Sequence, residues 1–581
     1  MTTARYLAVT GEPPRLRAWL ASLVPARDMP QRLNRVFDAE DVVIFASPET
    51  KLLSLKEERG LVIGRLYRGI CPSEAVEAMT LSESRHAAWS RGKALLEGKW
   101  GGFVAFLRDE NMVVALRDPS GSVPAYFCES GGIQLYFSNA ELLRDLKLDQ
   151  AAVDEQFLHQ WLTYPFLRTA RTGLSDRFEL LPGTARSSSG GAASVSTLWS
   201  PWRAAAAERQ IRDFDEAARR VREVALGTVA VQLAGVEAPV LELSGGLDSS
   251  IVAACLNQAG LRFKAANFVT QSADGDERDY ARMVASALDL ELAELPEEPA
   301  NLALSPPKRL SFRPSLSPVL QPLHRALSRY AQAVGSTDFV TGAGGDNVFC
   351  YLTTTAPVLD AARSLGLSAA FPTVRDVATL GDCTLWKAAG FAIRKSFRAK
   401  KRPLWKRDGR FLTPGALAAE PDPHPWLERP DQVLPGTIEH IESLVLIQHF
   451  LDPEYASGEA LHHPLLNTPL IELCLAIPTW LWVRGGRNRA VARAAFADLL
   501  PAPIIRRRTK GRLESMCARA YDGSRSKLAD LLIEGELAKR GLLDRAVLEA
   551  YLRIPGRPPD DSYFRIFDLV SLELWLRSRP P

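Results

Sequence analysis

The stretch LSGGLDSS, at residues 243–250, decides the fold of this 581-residue chain. It follows a short apolar segment at 239–243 that predicts a buried strand, and it leads into a predicted helix at 249–258. Next along the chain, 263–269 predicts a second strand and 277–288 a second helix. Strands that alternate with helices in this way favour a parallel, doubly wound sheet.

The loop at 243–250 has the composition of an anion site. Gly245 and Gly246 have no Cβ, so the backbone there can come close to a ligand. The first N–H groups of the helix that follows have no partners within the helix and favour a phosphate. Ser244 and Ser249 add hydroxyl donors. Phosphate alone would repel Asp248, so this residue predicts a Mg²⁺ ion between the carboxylate and the phosphates.

A second glycine-rich segment, TGAGGDN at 341–347, follows another short strand candidate at 339–341. Its three glycines again indicate a close approach of the backbone to a ligand. Ligands of open α/β sheets bind outside the carboxyl ends of the strands. We therefore expect Asp346 to be the second carboxylate of the same Mg²⁺ site.

The first 200 or so residues predict a different architecture. Short runs of strand length are separated there by turn signals such as the one at 118–121. Many short strands with polar turns favour a layered antiparallel sandwich. The small, polar stretch at 187–194 predicts a hairpin tip or a linker, and a helix is predicted at 214–233. The strand candidates are 41–46, 103–107, 112–116 and 134–138.

Composition and charge exclude several classes of protein. Apolar residues make up 46% of the chain and charged residues 24%, which excludes a disordered or fibrous chain. The 71 Lys and Arg nearly balance the 68 Asp and Glu, which does not favour a nucleic-acid partner. We find no apolar run near the roughly 18 residues of a membrane span and no signal peptide. Seven scattered cysteines predict reduced core thiols in a cytoplasmic protein.

One basic run stands out, RKSFRAKKRPLWKR at 394–407. Two interpretations stay open for it. It is a solvated loop, or it is a docking surface for an acidic peptide or partner protein.

The chain resembles the asparagine synthetase-type amidotransferases, whose synthetase domain carries an SGGxDS pyrophosphatase loop. Three further segments resemble that family in the same order: RDPSGSVPAYF at 117–127, HPLL with LIE at 463–472, and the stretch from Leu500 to Gly511. The resemblance implies a mixed α/β and α+β chain. Residues 1–205 would form an Ntn-hydrolase-like β-sandwich of the glutaminase type. Residues 206–581 would form an α/β adenine-nucleotide α-hydrolase-like (PP-loop) synthetase domain with helical additions.

The family resemblance also implies a reaction, with ATP and Mg²⁺ as cofactors. ATP activates a carboxylate as an acyl-AMP with loss of pyrophosphate, and an amine then displaces AMP. Asp248 and Asp346 would hold Mg²⁺, and Lys510 would neutralise the pyrophosphate and the intermediate, which makes these three the predicted catalytic residues. The implied ATP-binding residues are Leu243, Ser244, Gly245, Gly246, Asp248, Ser249, Thr270, Thr341, Gly342 and Gly344.

The chain departs from the family at three points. The glutaminase cysteine that follows the initiator Met is replaced by Thr2, which predicts a degenerate domain without glutaminase activity. Ala343 stands where asparagine synthetases carry a glutamate and β-lactam synthetases a tyrosine, and it leaves room for a larger nucleophile. Asn347 replaces a glutamate and lowers the local negative charge.

These departures fit one branch of the family, the lasso peptide cyclases, also called lasso macrolactam synthetases. The segments GGDNVFCY at 344–351 and GGRNR at 485–489 resemble that branch. That branch implies a precursor core peptide as substrate, with a leader peptidase and a leader-binding protein as partners. An Asp or Glu side chain of the peptide would be adenylated and attacked by the peptide's own N-terminal amine. Two alternatives stay open, a small-molecule ligase of the asparagine or β-lactam type and a non-catalytic nucleotide sensor. Candidates for the acceptor side are Ala343, His462, His463 and Glu472, of which the polar three have a structural role as their alternative.

Overall fold

The computed structural model of the protein shows a mixed α/β chain with three sheets, which confirms that part of the prediction. The names Ntn-hydrolase-like and PP-loop stay predictions, as does the division at residue 205. The structure describes residues 4–22, 33–70, 75–110, 112–148, 150–189, 192–270, 275–297, 302, 304–307, 309–314, 318–398, 403–450, 460–508, 514–556 and 560–579.

Each segment that the sequence predicts to be a strand contains a strand in the structure. The stretch at 187–194 belongs to a hairpin, because β11 pairs antiparallel with β12. The strands are β1 (Tyr6–Thr10), β2 (Asn34–Asp38), β3 (Val42–Ala46), β4 (Leu52–Ser54), β5 (Gly60–Tyr67), β6 (Trp100–Asp109), β7 (Met112–Arg117), β8 (Tyr126–Ser130), β9 (Ile133–Phe137), β10 (Phe178–Glu179), β11 (Thr184–Ser189), β12 (Ala192–Thr197), β13 (Val240–Glu242), β14 (Lys264–Val269), β15 (Leu292–Pro296), β16 (Asp338–Val340) and β17 (Ala460–His462).

Most helices of the described residues lie after residue 200. Several begin at a side-chain cap, as where the Asp213 carboxylate accepts a hydrogen bond from the Glu216 N–H. The helices are α1 (Pro13–Ser22), α2 (Leu81–Trp89), α3 (Lys93–Leu96), α4 (Glu141–Asp145), α5 (Glu155–Thr163), α6 (Pro201–Ala204), α7 (Phe214–Leu233), α8 (Leu247–Gln258), α9 (Arg278–Ala287), α10 (Gln321–Ala333), α11 (Gly345–Val348), α12 (Ala356–Leu365), α13 (Leu367–Leu380), α14 (Leu385–Arg398), α15 (Pro435–Gln448), α16 (Thr468–Ala476), α17 (Thr479–Trp482), α18 (Ala490–Ala495), α19 (Ala502–Arg506), α20 (Glu514–Ile533), α21 (Glu536–Lys539), α22 (Arg545–Leu552) and α23 (Ser562–Arg577).

Two antiparallel six-stranded sheets, ordered β10-β8-β9-β1-β3-β2 and β12-β11-β7-β6-β5-β4, form the N-terminal region. Strand β1 is buried on both faces, which explains why its sequence is continuously apolar instead of alternating. Tyr6 and Ala8 pack in the core between the two sheets, whereas Leu7 and Val9 pack against helices outside them. Helices α2 and α3 cover the other outer face. The result is a helix–sheet–sheet–helix sandwich.

A five-stranded parallel sheet, ordered β15-β14-β13-β16-β17, forms the second region. From the central β13 the chain first adds β14 and β15 on one side and later β16 and β17 on the other. This order creates a switch point at the carboxyl ends of β13 and β16, where open sheets of this kind bind ligands.

The two regions share apolar cores. Helices α20, α22 and α23 come from the end of the chain, yet they pack in one cluster with β1, β8 and β9. Trp575 on α23 is completely buried, and its indole ring would collide with any Cβ at Gly173. The last helices therefore complete the outer layer of the N-terminal sandwich.

Candidate active site

The two glycine-rich loops meet at the switch point of the parallel sheet. A Cβ built on Gly342 would lie 2.5 Å from the Ser249 nitrogen, and one on Gly345 would lie 2.5 Å from the Asp248 Cβ. Contacts this close require glycine at both positions. The structure thus brings the loop after β13 and the loop after β16 against each other, as the sequence predicted.

The loop at 243–250 has the backbone form that its glycines predict. Gly245 has a φ of +71°, and a Cβ there would lie 2.6 Å from the Ala281 nitrogen on α9. The hydroxyls of Ser244 and Ser249 lie 3.1 Å apart. The Gly246 N–H donates to Ser244 Oγ at 3.3 Å. The start of α8, which is twelve residues long, therefore carries a compact group of N–H and hydroxyl donors.

Neighbouring strands fix the base of this loop. The Asn267 side chain on β14 is buried and donates through Nδ2 to the Leu243 carbonyl at 2.8 Å. Thr270 follows β14 and is 9% exposed, at one wall of an apolar cavity that Met516 and Ala520 of α20 also line. Leu243 and Thr270 are thus at the carboxyl ends of adjacent strands, where the resemblance implies an adenine site.

Asp248 and Asp346 face one point, which Arg489 occupies. Arg489 Nη1 lies 2.7 Å from Asp248 Oδ1 and 2.6 Å from Asp346 Oδ1. The side chains of Asp248 and Asp346 are 15% and 26% exposed. Convergent carboxylates are ligands that suit Mg²⁺, which proteins commonly bind through one or two carboxylates together with substrate phosphates. Among the described residues no group of three or more His, Cys, Asp or Glu side chains could hold a metal alone.

Local backbone and packing hold Arg489 in place. It adopts a left-handed conformation with φ of 52° at the start of α18, and its guanidinium lies 5.2 Å from the ring centre of Tyr351. Burial alone would lower the pKa of Arg489, but the Asp248 and Asp346 carboxylates outweigh it and raise that pKa. Arg489 therefore stays charged between the two acids.

A second arginine, Arg507, reaches the glycine loop. Its Nη1 donates to the Gly245 carbonyl at 3.3 Å, and its Nη2 forms an ion pair with Glu277 at 2.7 Å. The guanidinium also stacks 3.8 Å from the ring centre of Tyr280. Lys510, predicted as the catalytic lysine, lies outside the described residues.

The acceptor-side candidates have different surroundings. Ala343 is exposed, and its N–H donates to Thr341 Oγ1 at 3.1 Å. His463 Nδ1 lies 3.1 Å from the same Thr341 oxygen, and burial lowers the pKa of the His463 ring to about 4, so the ring is neutral near pH 7. His462, on β17, is buried and contacts Asp338 Oδ1 at 2.7 Å.

Glu472 has a partner from the N-terminal region. The Trp199 indole N–H donates to Glu472 Oε1 at 2.6 Å. This hydrogen bond fits the structural alternative for Glu472, because it joins α16 to the segment just before α6. A role for Glu472 on the substrate side stays a prediction.

A cavity of about 100 Å³ lies between the sandwich and residues 461–466. Its walls include Lys51, Arg65, His462 and His463. Such a volume holds several water molecules.

Sequence reasoning missed Arg489, Arg507 and Asn267 as parts of the site. Arg507 and Asn267 lie in no motif, and Arg489 ends the segment GGRNR at 485–489, whose resemblance to the lasso branch gave it no role at the Mg²⁺ site. Only the tertiary path of the chain brings Arg489 to Asp248 across 241 residues.

The cysteines and the helices bear on two predictions from the sequence, reduced thiols and the lack of a membrane-spanning segment. The described cysteines are free, and burial raises the pKa of the Cys128 thiol to about 11. Cys71 and Thr2 lie outside the described residues. No helix in the described ranges has the length and apolar character needed to cross a bilayer.

Comparisons with known proteins add a family to this geometry. No curated protein matched the chain significantly. Two solved structures were among the matches, the allosteric regulatory enzyme of purine biosynthesis (10% identity, 58% of this chain and 89% of that one, TM-score 0.22) and glutamine phosphoribosylpyrophosphate amidotransferase from B. subtilis (12%, 58% and 90%, 0.21). Both TM-scores are too low to assign a fold.

The asparagine synthase family model, in contrast, matches residues 220–577. Members of this family are ATP-dependent carbon–nitrogen ligases. The matched range is more than half of the chain and contains both glycine loops, Asp248, Asp346 and Arg489. The chain therefore belongs to the asparagine synthase family.

Proposed function

We propose that the protein is an ATP-dependent macrolactam synthetase that closes the ring of a lasso peptide precursor. Its substrate would be an Asp or Glu side chain of a core peptide. The carboxylate oxygen attacks the α-phosphorus of ATP, and pyrophosphate leaves. The N-terminal amine of the same peptide then attacks the acyl carbon and loses a proton, and AMP leaves.

One observation carries this proposal. The two glycine-rich loops, at 243–250 and 341–347, meet, and the exposed Ala343 leaves the solvent side of the second loop open. Asp248 and Asp346 would hold Mg²⁺, which would offset the charge of the phosphates. The hydroxyls of Ser244 and Ser249 and the N–H groups of α8 would orient the phosphates. A glutamate or a tyrosine at 343 would narrow the entrance for a peptide amine, whereas the alanine methyl does not.

Lys510 would stabilise the charge of the leaving pyrophosphate. Support comes from Arg507, which contacts the Gly245 carbonyl and stands three residues earlier in the chain.

The N-terminal sandwich would be a degenerate glutaminase of the Ntn-hydrolase type. Its four layers support that assignment, and Thr2 in place of the nucleophilic cysteine supports the loss of activity. The attacking amine would then come from the peptide and not from glutamine. A leader peptidase and a leader-binding protein are the expected partners.

Mass spectrometry of a leaderless linear core peptide, encoded by the neighbouring genes, tests the reaction. The peptide is incubated with the protein, ATP and Mg²⁺, beside the Asp248→Ala variant. Loss of one water that requires Asp248, together with AMP and pyrophosphate, is the expected result. AMP without water loss would contradict ring closure and favour a small-molecule ligase. No turnover with this peptide, or with aspartate and ammonia, would favour a nucleotide sensor.

A further inference from the structure

An apolar and cationic surface lies on helices α12–α14, which contribute no residue to the two glycine-rich loops. Half of the exposed large hydrophobic side chains of the described residues fall between 365 and 397. The inner sides of these helices pack normally, with Val358, Val377 and Ala392 in one small core. The exposed members of the surface are Leu365, Leu367, Phe371, Leu385, Trp386, Phe391, Ile393 and Phe397.

Helix α14 shows the arrangement best. Trp386, Ile393 and Phe397 recur at spacings of seven and four, which places them on one face of the helix. They are 87%, 59% and 80% exposed. The buried Ala388 and Ala392 lie on another face, toward the protein. The apolar stripe on α14 therefore points into solvent and does not serve the core.

Helix α13 extends the same surface. It packs against α14, and the short link at 381–384 makes the two helices a hairpin. The beginning of α13 therefore lies beside the end of α14. Leu367 there is 85% exposed and Phe371 is 59% exposed.

The charges around this surface are mostly positive. Residues 363–397 contain five Lys or Arg and two Asp, and one of the five, Lys395, is paired with Glu439 of α15 at 2.5 Å. Asp376 is buried, so Asp382 is the exposed acid of this range. Lys387 and Arg394 are exposed on α14, and the Lys387 ammonium lies 6.0 Å from the Phe391 ring centre. A partner for this surface has to be both apolar and anionic.

We propose that the α12–α14 surface binds the face of a lipid bilayer that contains anionic lipid. Trp and Phe side chains beside Lys and Arg are typical of helices that lie in the bilayer interface. Side chains that are 80–87% exposed project into solvent, whereas a docked peptide needs a groove. A fluid bilayer accepts projecting side chains without a matching shape. The inference is independent of the proposed reaction, and it does not use residues 399–402 of the basic run, which lie outside the described residues.

Vesicle co-sedimentation of the full-length protein tests the inference. We expect the protein to sediment with vesicles of phosphatidylcholine mixed with phosphatidylglycerol, much less with phosphatidylcholine alone, and less as salt increases. The double variant Trp386→Ser/Phe397→Ser should lower the bound fraction about tenfold. Its matched control is Trp89→Ser, because Trp89 on α2 is 73% exposed outside this surface.

A charge variant tests the electrostatic part separately. Lys387→Glu/Arg394→Glu should abolish the preference for the anionic vesicles, whereas Arg219→Glu/Arg220→Glu on α7 makes the same change of charge elsewhere and should keep it. Circular dichroism checks that each variant folds. The proposal is overturned if the wild-type protein does not sediment with anionic vesicles, or if the α14 and control variants behave alike. A dimer that Trp386→Ser/Phe397→Ser converts to a monomer would also overturn it, by assigning the surface to a second copy.

Discussion

Arg489 Nη1 lies 2.7 Å from Asp248 Oδ1, so a cation already occupies the point where the two acidic side chains of the site converge. The same nitrogen lies 2.6 Å from Asp346 Oδ1. Without Arg489 the two carboxylates would repel each other in a mostly buried setting. Arg489 thus offsets the repulsion between the two acids.

Replacing Arg489 by methionine should destabilise the protein and make its stability depend on Mg²⁺. Loss of the shared partner should lower the free energy of unfolding by about 2 kcal/mol, somewhat less than for a fully buried pair. Because Mg²⁺ would then supply the missing charge, it should raise the Tm of Arg489→Met more than that of the wild type. Thermal unfolding with and without Mg²⁺ measures this. Arg219→Met is the control, and an equal Tm response in all three proteins would contradict the interpretation.

Gly345→Ala should disturb Asp248 directly. The new Cβ would lie 2.5 Å from both the Cβ and the Cγ of Asp248, so the carboxylate has to move. A displacement of this kind should lower Mg²⁺-dependent ATP turnover by about tenfold or more. The control is Gly523→Ala on α20, where a Cβ meets open space and the helix gains slightly. Similar losses in both variants would show that the contact with Asp248 is unimportant.

Ala343→Trp should separate the two steps of the proposed reaction. Position 343 is exposed at the outer side of the loop, so a large side chain there obstructs the peptide amine more than the nucleotide. We expect peptide-dependent exchange of pyrophosphate into ATP to stay within about twofold, and ring closure to fall about tenfold. The small variant Ala343→Ser should keep both. If Ala343→Trp closes the ring at the wild-type rate, the acceptor lies elsewhere.

Glu179 should make the sandwich sensitive to acid. Burial alone would raise its pKa, but Arg168, Arg117 and Arg313 outweigh burial and lower the pKa to about 2. The folded pKa is thus below the unfolded one, so this stabilisation is complete above about pH 4.5 and is lost as the pH falls toward 2.

Urea unfolding of Glu179→Gln measures that contribution. The variant should lose about 3 kcal/mol of unfolding free energy at pH 7. The difference in unfolding free energy between the variant and the wild type should shrink as the pH falls below about 4.5. A difference that is constant from pH 7 to pH 3 would contradict the low pKa of Glu179.

The parts of the fold that depend on local sequence could be predicted. Strand β13, helix α8 and strand β14 follow from an apolar run, a glycine loop and a second apolar run that are adjacent in the chain. Strand β17 could not be predicted, because it has three residues and exists only through pairing with β16, more than 100 residues away. Strand β1 was also not predicted, although YLAVT is a short apolar run of the kind that predicts β3 and β13.

The site, too, has parts that the local sequence predicts and parts that depend on residues far apart in the chain. The convergence of Asp248 and Asp346 could be predicted, because each follows a strand of one parallel sheet. The position of Arg489 could not, since it depends on how α18 packs beside that sheet. The partner of Glu472 was also hidden, because Trp199 belongs to a different region of the chain.

The packing of α20, α22 and α23 against β1, β8 and β9 bears on how such a protein evolves. Deleting the N-terminal region would strip the apolar side of the last helices, and deleting the last helices would uncover a sheet. The N-terminal region therefore cannot be discarded by a simple gene truncation, whether or not it has a reaction of its own. Its loops are free to change, but the strands that the last helices cover are not.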